Sequence, residues 1–297
     1  MRINNLWFFL ISAVSISGQA QPTLIKESPT SNLGVVWNLE TIYSEISGLT
    51  AINTGNNTPT FLAIQDGGNA TEIMVCRWVE RKIEGIKVPL VNSDWEAIVV
   101  DSSRVYLGDF GNNRGNRKDL KIYRCLGIPS NFNNVGDLSQ ALADNHNWDS
   151  IQFNFPDQAN FSPRFRHNFD CEAMLVRGDS IWLFTKNWRN FRSQIYLLEN
   201  KPGRQVALPV AELKPRCLVT DACWVNGGAV LLGYSVLGNQ FIMNVDWAKK
   251  RISKKRKLAI KPAQMEGVAF NPGNNKIYVS TEKRKTQQAA IIELCGN

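Results

Sequence analysis

The sequence predicts an all-β fold, a single β-propeller of five blades closed by the N-terminal strand, on three observations. Five segments share one layout: a short strand, a polar turn, an apolar strand, a second polar loop and a third strand. Their register anchors are Gly48, Glu96, Glu172, Asp221 and Glu266, at intervals of 48, 76, 49 and 45 residues; three of these intervals fit one four-stranded blade. The fifth segment runs out of chain before a fourth strand, while "LGVVWNLET" (33–41) stands unpaired ahead of the first. Joining the two closes the ring and removes exposed sheet edges.

Taken in order, residues 1–20 read as an export signal: Arg2 supplies charge, "LWFFLISAVSIS" is apolar and "GQA" offers small residues before Gln21. The apolar run is too short to span a membrane. Residues 21–297 are therefore expected to form the propeller, secreted or periplasmic, with no membrane span. Fourth strands are expected at "KIEGIKVPL", "QVALPVAEL" and "RKLAIKPA". The long interval is an insertion over about 127–169 in the second blade, where "DLSQALADN" reads as a short helix and "SIQFNFPD" as an outer strand. A sixth blade would have to hide there. The basic run "KKRISKKRK" is expected in an exposed outer hairpin between the third and fourth strands of blade IV.

Six cysteines in an exported chain permit three disulfides, or a mixture of bridges and buried thiols. No C-x-x-C pair occurs and there are only two histidines, which argues against zinc. Thirty-four basic against 26 acidic residues give a net charge of +8, which favours an anionic small molecule, a glycan or a protein partner. No recognition module or basic helix points to nucleic acid.

The first strand of a propeller blade lines the central channel. Glu96, Glu172, Asp221 and Glu266 open that strand in four blades, with Ser47 or Gly48 in the fifth. Carboxylates crowded around one channel repel unless a cation lies between them, and hard oxygen donors suit calcium. The competing reading is that these acids accept backbone N–H groups of the next blade and pin the ring. "DGGN" and "DFGNN" place Asp66 and Asp109 at the ends of second strands, where they serve either tight-turn chemistry or, at the same mouth, as ligands or a general base. "FTKNWRN" and "STEKRK" bring Lys186 and Lys283 to stabilise developing negative charge.

The stretch from Asp94 to Cys125 resembles a group of exported bacterial proteins, mostly uncharacterised, that share a phrase close to "DWEDIA…LYIGDIGNN…R…L.IY". Asp94, Trp95, Glu96, Asp109, Gly111, Asn112, Asn113 and Arg117 are among the matches. Ala97 stands where that group has an acid. More distantly, "MEGVAF…IYVSTEK" resembles phytase-like and esterase-like propellers, and acids opening the inner strands resemble calcium-activated nucleotidases. These resemblances imply a calcium-dependent hydrolase of phosphate or carboxylate esters. The rival expectation is a binding module with a structural ion.

Overall fold

A computed structural model describes residues 33–53, 58–101, 104–128, 135–260, 264–284 and 288–295. The export signal expected over 1–20 lies outside these residues. Strand β1 (Leu33–Asn38) precedes blade I, which runs β2 (Ile46–Ile52), β3 (Thr60–Gln65), β4 (Glu72–Arg77) and β5 (Lys82–Lys87). Blade II comprises β6 (Trp95–Asp101), β7 (Arg104–Asp109), β8 (Lys121–Cys125) and β9 (Trp148–Asn154), with helix α1 (Val135–Ala143) before β9. Blade III has β10 (Cys171–Arg177), β11 (Ser180–Thr185), β12 (Ser193–Glu199) and β14 (Leu208–Leu213), with β13 (Gly203–Val206) between the last two. Blade IV is β15 (Leu218–Val225), β16 (Gly228–Tyr234), β17 (Gln240–Asp246) and β18 (Arg251–Leu258). Blade V contributes β19 (Met265–Asn271), β20 (Lys276–Thr281) and β21 (Ala290–Leu294). It is completed by β1, which pairs antiparallel with β21.

The five inner strands β2, β6, β10, β15 and β19 contact one another in a closed cycle. Between each pair of adjacent blades lies an apolar layer, five in all, built from inward side chains such as Leu62, Ile98 and Leu107 between blades I and II. The inner strands are covered on both faces and read as nearly continuous apolar runs rather than alternating ones. The insertion adds to one layer: Leu138 and Leu142 of α1 are fully buried against the blade I and II side chains.

Three expectations change. No disulfide forms; all six cysteines are free. Cys125, Cys171, Cys76, Cys217 and the partly buried Cys223 each sit in a different inter-blade layer as small apolar fillers, no two sharing a layer, and Cys295 is exposed. The segment expected as one outer strand of blade III divides in two: β14 completes its own blade, while β13 crosses to pair parallel with β9 of blade II. The basic run is the outer strand β18 itself, beginning at Arg251 rather than 256. Its cationic side chains line the rim of a sheet whose outer edge is otherwise unpaired, where charge discourages strand addition.

Candidate functional site

Every inner strand slips by one residue against its neighbour at the same level. In blade II, Trp95 faces Asp109 while Ala97 faces Gly108, which leaves Glu96 without a partner in the ladder. The same slip isolates Ser47, Glu172, Thr220 and Glu266. An extra residue in one strand re-aims its side chain. The five re-aimed side chains are three glutamates and two hydroxyls. Ser47 Oγ donates to Trp95 O and Thr220 Oγ to Met265 O, each 2.7 Å away across a blade boundary.

Asp221 lies one residue beyond the position the sequence assigned it. Its Oδ1 accepts from Ala222 N at 2.8 Å and its Oδ2 from Val268 N of blade V at 2.7 Å. At Asp221 the bond from Val268 N is the one the ring-pinning alternative describes; Ser47 and Thr220 tie blades together too, but as donors to carbonyl oxygens. Glu96, Glu172 and Glu266 differ: all are buried, and Glu172 Oε1 and both Glu266 oxygens have no hydrogen-bond partner among the described residues.

Around Glu96 the carboxylates converge. Asp66, Asp94 and Glu96 bring oxygens within 4.8 Å of one another. Two features hold them there. Asn92 donates to the carbonyl of Asp66 at 3.0 Å and accepts from Trp95 N at 3.1 Å, tying the blade I turn to the start of β6. Gly111 provides the room, because a Cβ there would overlap Glu96 Oε1 and the Asp94 carboxylate. Burial, then the charges of Asp66 and Asp170, raise Asp94 to about 7. Burial, then Glu172, Asp66 and Asp94, raise Glu96 well above the usual carboxylate range. Such a cluster is compensated at neutral pH either by protons or by a cation.

One cation is built in. Lys186 Nζ stands 3.0 Å from Glu172 Oε2, both side chains almost wholly buried, and lies over the rings of Trp188 and Tyr234 at 5.3 Å each. Burial works against its charge, but Glu172 and Glu266 outweigh it and hold the ammonium well above its ordinary value. Asp170 orders this loop: it accepts from Trp188 Nε1 at 2.7 Å and from Asn112 N at 2.8 Å.

Strand parity sorts the remaining predicted residues. Asp109 faces Trp95 in the ladder, whereas Gln65 and Thr185 hold the matching places in blades I and III. Asp66, Lys186 and Glu282 therefore occupy the next position, and Asp109 points the other way. Asp109 is fully buried, with Oδ1 accepting from Arg117 Nη2 at 2.9 Å and from Asp94 N at 3.1 Å. It supports the backbone of the cluster from behind. Lys283 is exposed at the mouth, its N–H donating to Ser44 O at 2.7 Å.

Sequence reasoning did not single out Asp94 or Asp170 for the chemistry, and it brought Glu282 to the mouth within "STEKRK" without giving it a role of its own. Burial, then Glu266 and Asp66, raise Glu282 to about 8. The signal for Glu282 was present as its offset from the end of the second strand, equal to that of Asp66. Beside the mouth is a cavity of about 480 Å³ walled by Trp188, Tyr234, Gln264, Arg284 and the exposed Val236 and Leu237.

No protein-family model and no curated protein matches the chain. Solved structures with the same fold do. A glutaminyl cyclase of Myxococcus xanthus aligns with a TM-score of 0.50 and 11% identity over 89% of this chain and 94% of that one. A bifunctional GH43-CE protein of Bacteroides eggerthii aligns at 0.52 and 12% over 86% of this chain and 33% of that one. A GH43 glycoside hydrolase aligns at 0.50 and 8% over 88% and 52%. These neighbours are β-propeller enzymes, and at such identities the likeness concerns the fold.

Proposed function

We propose that the channel mouth binds a divalent cation, calcium, and hydrolyses a phosphate or carboxylate ester that carries negative charge. The observation that carries this reading is the convergence of Asp66, Asp94 and Glu96 oxygens within 4.8 Å, with Glu172 and Glu266 buried beside them. An all-oxygen donor set on flexible turns suits calcium better than zinc. The ion would supply Lewis acidity toward an ester oxygen and a water.

The chain's own residues take the other parts. Glu282, raised to about 8, holds and releases a proton near neutrality at the mouth. Lys186 offers fixed positive charge where negative charge develops. The neighbouring cavity of about 480 Å³ takes the organic part of the ester against Trp188 and Tyr234, and Arg284 steers its charge. That this fold carries enzymes elsewhere supports the reading by analogy alone.

The test combines calcium titration calorimetry with a panel of nitrophenyl phosphates and carboxylates. The reading predicts calcium binding that Asp94→Asn and Glu96→Gln each weaken at least tenfold, and turnover that a chelator abolishes. Calcium binding without turnover on any ester would leave a binding module with a structural ion. Absence of calcium binding would overturn the site.

A further inference from the structure

A second cleft lies on the far side of the loop that carries Lys186. Along that loop, Lys186 and Trp188 face the mouth, whereas Asn187 and Arg189 line a cavity of about 550 Å³ together with Arg164, Arg166 and Asn168 from the segment before β10. The volume is that of a small-molecule site. Its wall carries unmet hydrogen-bonding capacity of both kinds. Arg164, Arg166 and Arg189 form no ion pair among the described residues, although the cleft contains two carboxylates. Glu212 is paired with Arg192 at 2.5 Å, and Asp157 accepts from Tyr196 Oη, another residue of the wall, at 2.9 Å. On the acceptor side, Asn168 Oδ1 and Asn187 Oδ1, both buried, meet no donor among the described residues, and Asn187 is 2% exposed.

Backbone bonds hold the two arginine-bearing segments together. Arg189 N donates to His167 O at 3.3 Å and Arg164 N to Arg114 O at 2.8 Å. His167, buried, accepts from Phe169 N through Nδ1 and meets Asn113 O through Nε2 at 3.1 Å, which fixes the turn from which Arg164 and Arg166 extend. The arginines thus stand on supported backbone rather than on a loose loop.

A ligand matching this wall presents an oxyanion to planar guanidinium forks. It also brings donors of its own to the amide oxygens. We infer that the cleft binds a hydroxylated anion, a sugar acid or a sugar phosphate, at a site separate from the acidic mouth and independent of any chemistry there.

Calorimetry on the full protein in excess chelator tests this, with a uronate disaccharide, glucose 6-phosphate, maltose and inorganic phosphate as probes. At least one of the two charged sugars is expected to bind, more weakly as salt rises, and maltose is not; whichever anion binds more tightly identifies the source. Arg166→Gln and Arg189→Gln, both at exposed positions, are expected to lower that affinity at least tenfold each with an unchanged melting temperature. Three results would overturn the inference: no binding of either charged sugar, binding of inorganic phosphate as tight as that of glucose 6-phosphate, or affinity that survives the double variant.

Discussion

Asp94 links one residue's surroundings to the behaviour of the molecule. Its proton is held up to about 7 by burial and by the charges of Asp66 and Asp170, against an ordinary value near 4. Between those two values the folded chain holds a proton that the unfolded chain has released. The group therefore contributes stability that is fully present below about pH 4 and lost as pH rises toward 7. In excess chelator, urea midpoints are expected to fall across that window, and Asp94→Asn is expected to flatten the slope. An unchanged slope in the variant would assign the titration to another carboxyl. Why Asp94 was not legible beforehand is also a matter of a single residue. It precedes the inner strand, and only the approach of the blade I turn, with Gly111 leaving room, brings it to Asp66. Glu96, Glu172 and Glu266 were legible because a repeat aligns them. Asp221 was misplaced by one because Thr220, not an acid, fills the slipped position of blade IV.

At the scale of elements, the alternation of strands and turns made the blades and even α1 readable, while β13 was not. A strand that serves a neighbouring sheet has no counterpart in the repeat that would announce it. The boundary it crosses is clamped by Arg124, 4% exposed, on β8. Arg124 Nε and Nη2 donate to the two oxygens of Asp149 at 2.6 Å, and its Nη1 reaches Asn200 O and Oδ1 of blade III at 2.8 Å. Lysine cannot reproduce that planar fork. Arg124→Lys is expected to destabilise the protein by about 2–4 kcal/mol, since it leaves buried acceptors unmet. Equilibrium urea unfolding measures this, and a loss below about 0.5 kcal/mol would show that β13 holds the boundary unaided.

For the whole molecule, closure of the ring rests on six residues. Removing 33–38 would bare the edge of β21 and expose the layer in which Trp37 packs edge-on to Trp78, 6.2 Å between ring centroids. An unpaired apolar edge recruits other chains. The truncated protein is expected to form dimers or larger species on gel filtration and to unfold at lower urea; a stable monomer with an unchanged midpoint would mean that blade V stands on three strands. The ring itself was legible from the missing fourth strand, because a shortage at one end and a surplus at the other are both visible in a linear text.

The pairing of Leu33 with Leu294 sets the two ends of the described chain side by side. A closed ring with adjacent ends has no geometric beginning. Joined by a short linker and reopened at the exposed turn of Val236 and Leu237, the same blades would stand in the same order. What would change is the history of assembly. The pairing of β1 with β21 would become a local one, and the closure of longest range among the described residues would move to blade IV.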